Sequence, residues 1–311
     1  MTRAWLRLRL AGGVLVLAAL LWRFGTGPFA DAWQVTTWAS VALALVLTAL
    51  ATLANAWRWR VVSHALGVPL TTAGSVAAYY RSQFLNSMLP GGVLGDAHRG
   101  ARQGRDAGDL GAGLRATGWE RVAGQLVQAG LVVLALGLLP TSLRGYTPVA
   151  LAGVAVFALG AWWLARRRGA LAFVGRDLRV LLRPAVACRV VVASCASTAA
   201  HVAVFAVAVH TVGLSVRPAV LIPIALLVLV GSAIPLNVAG WGPREGVTAA
   251  VFGLAGLGSA DGLTVSIVFG VLAAVATLPG LLVLLGDVVV VRRRRTAVPA
   301  GIRTLEEARR G

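Results

Sequence analysis

A chain of 311 residues with a net charge of +18 and a mean hydropathy of +0.81 is not composed like a soluble domain. Charged residues make up 13% of it and hydrophobic ones 58%, where soluble domains carry roughly 25% charged residues. These values exclude a soluble globular enzyme and indicate an integral membrane protein, with no segment left over to bury a globular catalytic core.

All the basic residues are Arg, and they fall between apolar runs. That placement fits the positive-inside rule and attraction to anionic headgroups, and it excludes nucleic acid as the partner. Cys188 and Cys195 lie seven residues apart on one apolar run, two helical turns, which is too far for a disulfide. They are expected to act as small buried hydrophobes. His64, His98, His201 and His210 form no zinc constellation, and no metal or cofactor is expected.

In chain order, Arg3, Arg7 and Arg9 precede an apolar run ending at Trp22, read as a retained first helix with Trp5 and Trp22 as interfacial anchors. A loop with Arg23 and Asp31 leads to a second helix, about 33–56, that returns to Trp57-Arg58-Trp59-Arg60. The polar stretch 99–115 is placed in the cytoplasm with this cluster. Helix 119–139 leads out to Arg144, and helix 148–165 returns to Arg166-Arg167-Arg168 and an amphipathic stretch. Helix 190–212 leads out to Arg217, and helix 263–286 ends inside, ahead of Arg292 to Arg295.

Residues 61–98 then begin and end in the cytoplasm, and residues 218–262 begin and end outside, so each must be a hairpin. The expected fold is all-α: a polytopic integral membrane protein of about six full spans plus two Pro/Gly-broken hairpins in inverted arrangement. Residues 1–290 form a single transmembrane domain, and 291–311 an Arg-rich cytoplasmic tail. Both termini are expected in the cytoplasm of a bacterial cytoplasmic (inner) membrane protein.

The hairpin interiors carry the chemistry. Aligned on Pro90 and Pro235, Gly95 and Arg99 fall at the offsets of Gly240 and Arg244. Pro removes an N–H and Gly opens backbone angles closed to other residues, so these positions break helices at membrane depth. Breaks of this kind are tolerated only when buried in protein or lining a polar cavity, and inverted repeats are built around them. Asp96 is read both as an N-cap of the helix after the break and as a binding carboxylate. Arg99 is either interfacial, snorkelling to headgroups, or a phosphate ligand. Arg244 either pairs structurally with Glu245 or engages a ligand. Arg81 lies in a segment whose Tyr79, Gln83 and Asn86 fall at near-helical spacing as a polar stripe, and is either part of an interface belt or a ligand; Asn237 stands beside the second break. Arg121, Gln125 and Gln128 share a helix face next to Glu120, and Ser194, Ser197, Thr198 and His201 make a second polar face. Such residues often serve only as packing glue between transmembrane helices; two such faces beside two broken hairpins suggest a common wet interior.

The run Phe84-Leu85-Asn86-Ser87-Met88-Leu89-Pro90-Gly91-Gly92-Val93-Leu94-Gly95-Asp96-Ala97-His98-Arg99, with Ile234-Pro235 and Gly240-Trp241-Gly242-Pro243-Arg244-Glu245-Gly246 downstream, resembles the lysylphosphatidylglycerol synthase transmembrane-region family, also called the flippase-like domain family. The similarity runs over roughly residues 10–290. Leu94 stands where the family usually shows the first of two glycines. The resemblance implies a polytopic inner-membrane protein, in some members fused to an aminoacyl-transferase domain. In those members the membrane part is associated with moving the product lipid across the bilayer, and stand-alone relatives are linked with polyprenyl-phosphate sugars or cell-envelope glycans. No transferase domain is expected in this chain, and it is not expected to be an enzyme.

The function expected is translocation of a phospholipid or polyprenyl-phosphate-linked lipid across the cytoplasmic membrane. Arg81, Arg99 and Arg244 would engage phosphate, and Asp96 and Glu245 would orient these arginines or an amino headgroup. Glu120, Arg121, Gln125, Gln128 and His201 would line the polar path, and Pro90, Gly95, Pro235 and Gly240 would shape the breaks. Anionic or phosphate-bearing membrane lipids are the expected partners, together with an envelope biosynthetic enzyme. Two alternatives are an accessory membrane protein of a cell-envelope biosynthesis complex and a lipid-linked glycosyltransferase.

Overall fold

The computed structural model describes residues 22, 27–89, 92–136, 171–232 and 243–296. The described elements are all helical: α1 (Gly27–Val35), α2 (Trp38–Ala65), α3 (Thr72–Met88), α4 (Leu94–Asp106), α5 (Leu110–Leu136), α6 (Leu171–Leu181), α7 (Pro184–Thr211), α8 (Pro218–Ser232), α9 (Pro243–Leu254), α10 (Ser259–Ala276) and α11 (Pro279–Thr296). Among these residues, three helical stretches are long and apolar enough to cross a membrane: Trp38–Ala65, Pro184–Thr211 and Ser259–Asp287.

Local sequence sets the ends of the long helices. Thr37 and Ser40 form a capping box at the start of α2. Each side chain accepts the other's backbone N–H, satisfying two donors that have no partner within the helix. Gly67, at φ +80°, ends α2: its N–H donates to the His64 carbonyl at 3.1 Å, and the Val68 N–H donates to Ser63 at 2.8 Å. Gly213 closes α7 in the same way through His210 and Val209. Both are Schellman motifs, which place a glycine where other residues are strained. Pro184, Pro218, Pro243 and Pro279 open α7, α8, α9 and α11, at the position where a missing N–H costs no helical bond.

α2 and α7 each have 28 residues, about 42 Å of helix, and they pack along their length in antiparallel sense. Arg58 near the end of α2 reaches Ser194 near the start of α7, while Ala44 shares a core cluster with Val204, Phe205 and Ala208. Phe205 meets Phe252 of α9 and Phe269 of α10 edge to face, with ring centroids 6.4 and 5.7 Å apart. This cluster ties α9 and α10 to the α2–α7 pair.

The two expected hairpins are pairs of short helices. α3 has 17 residues and α4 13, about 25 and 20 Å. α8 has 15 and α9 12, about 22 and 18 Å. Both limbs of the first pair fall short of a hydrocarbon core of about 30 Å, whereas α8 and α9 adjoin residues 233–242, which lie outside the described residues. The first pair is folded tightly: a Cβ on Gly95 would lie 2.8 Å from Asn86 Oδ1 and still closer to the Ser82 carbonyl oxygen. The stretch expected to be a cytoplasmic loop is largely helical, because α4 runs on to Asp106 and α5 already starts at Leu110. Gly108, at φ +78°, makes the reversal, and the two helices meet through Gly100, Gly104 and Gly113. A Cβ on Gly113 would lie 2.5 Å from the Gly104 Cα and the Gly100 carbonyl oxygen. Pro90, Pro235, Asn237 and Gly240 lie outside the described residues.

Candidate functional site

Two buried carboxylates organise the site. Asp96 lies in the first turn of α4 and accepts hydrogen bonds from Ser82 Oγ at 2.8 Å and Asn86 Nδ2 at 2.9 Å, both on α3. It pairs with Arg99 at 3.0 Å and with Arg121 of α5. The reading of Asp96 as N-cap is corrected. The cap position is Val93, which offers no side-chain bond, and Asp96 lies inside the helix with its oxygens facing α3 and α5. Asn86 supplies the missing acceptor from across the hairpin, since its Oδ1 receives the Gly95 N–H at 2.8 Å.

Glu120 on α5 has no exposed surface. Its Oε1 receives Arg58 Nε at 2.9 Å and the Tyr79 hydroxyl at 3.3 Å, and its Oε2 receives Arg99 Nη2 at 3.0 Å. Arg99 therefore links the two carboxylates. It is 1% exposed, with its guanidinium 4.3 Å from the ring centroids of both Trp59 and Tyr79. A desolvated cation between two aromatic faces gains the attraction of both ring quadrupoles. The interfacial, snorkelling reading of Arg99 is thereby replaced by a buried one. Asp96, Arg99, Glu120 and Arg58 make one chain of charge from α4 through α5 to α2, which Arg58 Nη1 extends to Ser194 on α7 at 3.1 Å.

Beside this chain lies a cavity of about 320 Å³. Three cations face it: Arg58, Arg121 and Arg244. Their carboxylate partners Glu120, Asp96 and Glu245 are not among its lining residues. Gln83 of α3, Gln125 and Gln128 of α5, and Ser197, Thr198 and His201 of α7 complete its polar wall. Two glycines make room for the cations. Gly124 leaves the slot that the Arg58 guanidinium occupies, where a Cβ would come within 2.7 Å of it, and Gly270 does the same for Arg244. Arg244 donates from Nε to Glu245 at 2.9 Å and lies 5.5 Å over the Phe269 ring. The side chain of Arg121 is 43% exposed and lines this space. Coulombic attraction in a low-dielectric chamber of this kind favours an anion.

Arg81 lies elsewhere. It pairs with Asp287 of α11, which Arg102 also reaches at 2.7 Å. With Trp59, Arg99 and Gln103 these residues line a second cavity of about 360 Å³. Of the three arginines expected to act together, Arg244 lines the chamber, whereas Arg81 and Arg99 line the second cavity.

Sequence reasoning placed Arg58 in a cytoplasmic cluster and missed its burial. The signal was present on α2, where Thr48, Thr52, Asn55 and Arg58 repeat at helical spacing and are all buried. Asp287 was missed because its partner Arg81 is 206 positions away, a separation that no local pattern reports.

Fold and site together define a polytopic helical membrane protein with a cation-lined chamber inside its bundle. The chain belongs to the family described as lysylphosphatidylglycerol synthase TM region, whose model matches residues 5–280. Comparison with curated proteins and with solved structures gave no match. Membership makes this a membrane-embedded protein of lipid handling or envelope biosynthesis.

Proposed function

We propose that the protein moves a phospholipid or a polyprenyl-phosphate-linked lipid across the cytoplasmic membrane, with the phosphate-bearing headgroup passing through the chamber and the apolar chains staying in lipid. The observation that carries this reading is the segregation of charge: Arg58, Arg121 and Arg244 face the cavity while Glu120, Asp96 and Glu245 hold them from behind. Ionisable groups within a bilayer cost several kcal/mol unless paired or wet, and they mark substrate paths. The short limbs of α3 and α4 support a re-entrant first hairpin, the kind of element around which inverted-repeat transporters are built. An accessory role beside an envelope biosynthetic enzyme would use the cytoplasmic arginines but gives the chamber nothing to do.

The test is reconstitution in liposomes with a panel of headgroup-labelled lipids, read by access of an impermeant quencher. Arg121→Gln is the informative variant. Asp96 keeps Ser82, Asn86 and Arg99 as partners, so the fold should survive while translocation falls at least about tenfold, the equivalent of one lost charge-assisted contact of roughly 1.4 kcal/mol. A stable variant that translocates at the parental rate would refute the headgroup path.

A further inference from the structure

A larger cavity, about 960 Å³, runs along the C-terminal half of α7. Its origin is a face of small residues: Cys195, Ala199, Ala203 and Ala206 follow helical spacing and lead to His210. Larger side chains stand at its edges, Leu131 from α5 and Leu221, Ile222 and Leu226 from α8, and no described side chain fills the space between. From Cys195 to His210 the groove is about 22 Å long at the rise of an α-helix.

The two ends of the groove differ. One reaches Thr198, which also lines the cation-lined chamber. The other is the turn after α7, where Arg217, Ser215 and His210 make a polar rim. Arg217 and His210 are exposed there, and neither has an acidic residue paired with it among the described ion pairs. A concave apolar seat closed by a cationic rim matches one amphiphile, a lipid with an anionic headgroup, in the orientation such a molecule has in its own leaflet.

We propose that this groove is a dedicated lipid site: one chain lies against the small face of α7, the anionic headgroup rests on Arg217, and the chain end reaches Thr198 beside the chamber. The arginine distribution puts the rim at the outer surface, so the site holds a lipid of the outer leaflet next to the path, as it arrives or as it leaves. Its role in transport rests on the translocation reading, whereas its occupancy does not. The alternative is an ordinary lipid-facing surface, for which α2 supplies an internal control: Leu43, Val46, Leu50 and Leu53 are each about half exposed on one face.

The experiment uses the full chain in nanodiscs of phosphatidylcholine doped with phosphatidylglycerol or phosphatidylcholine bearing a chain-end diazirine, with photolabelled peptides mapped by mass spectrometry. The expected result is phosphatidylglycerol labelling of α7 and α8 around Thr198, Val202 and Leu226 about tenfold above the α2 face, a difference of roughly 1.4 kcal/mol in local affinity. Arg217→Gln should remove the preference for phosphatidylglycerol. Ala203→Trp should abolish groove labelling by both lipids while α2-face labelling and the gel-filtration profile stay those of the parent, which shows that loss of fold is not the cause. Equal labelling of groove and α2 face, or indifference to headgroup at Arg217, would overturn the proposal. A labelled groove in a protein that moves no lipid would sustain the site and refute only the translocation reading.

Discussion

Replacing Glu120 by Gln tests whether the charge chain holds the bundle together. The side chain has no exposed surface and faces two guanidiniums, Arg58 at 2.9 Å and Arg99 at 3.0 Å. The amide has nearly the same shape, but it offers its single oxygen to one arginine and turns an NH₂ donor toward the other. The cluster of Arg58, Arg99 and Arg121 with Glu120 and Asp96 would pass from one net positive charge to two, and the change falls at Glu120, which has no exposed surface. Breaking a buried pair from one side costs about 3–5 kcal/mol. At about 2 °C per kcal/mol for a chain of this size, the midpoint in detergent should fall by about 6–10 °C. Thermal unfolding followed by fluorescence-detected gel filtration measures this shift directly. Adding Arg58→Gln should recover part of the loss, because the second substitution removes the charge left uncompensated. A Glu120→Gln protein melting within about 2 °C of the parent would mean that the site is wet and the pairing weak.

Asn86→Ala removes both the acceptor for the Gly95 N–H and a donor to Asp96, so α4 should lose about 1–2 kcal/mol at its start, visible as faster amide exchange at residues 94–97. Exchanging charges between Arg81 and Asp287 should restore the α3–α11 tie that either single reversal breaks; a swap no more stable than the single variants would show that Arg102 is the dominant partner of Asp287. Single-cysteine labelling in a Cys188- and Cys195-free background should find Ala107 accessible from the cytoplasm only, and Ser215 and Ala260 from outside only. An external Ala107 beside an external Ser215 would defeat the first hairpin and remove the argument for opposed hairpins.

Composition and arginine spacing made the membrane class legible, and Pro90-Gly91-Gly92 marked the end of α3 because Pro and Gly leave a helix without donors or rigidity. The polar residues of α5 and α7 announced a shared interior, and Arg121, Gln125, Gln128 and His201 do line one cavity. Less legible was which member of a charge cluster turns inward. Arg58 and Arg60 are two positions apart, yet Arg58 meets Glu120 while Arg60 reaches the Leu70 carbonyl; the helical phase of α2, fixed by its packing on α7, decides between them. The partner of Arg99 was similarly hidden. An aromatic pocket made of Trp59 and Tyr79 requires α2 and α3 to be adjacent, which no local pattern encodes.

The glycine seam between α4 and α5 limits how the molecule can move. With backbone against backbone at Gly104 and Gly113, and the short Thr117 side chain packed on Gly100, little at the contact can change rotamer, so sliding or hinging between the two helices has little freedom. Asp96 and Arg121, one on each helix, must then travel as a single rigid wedge. Movement is left to the seams around that wedge, where Arg58 grips Glu120 and Trp59 covers Arg99. Paired spin labels would report this as a ruler and a lever: a fixed separation between α4 and α5, and a variable one between either helix and α2.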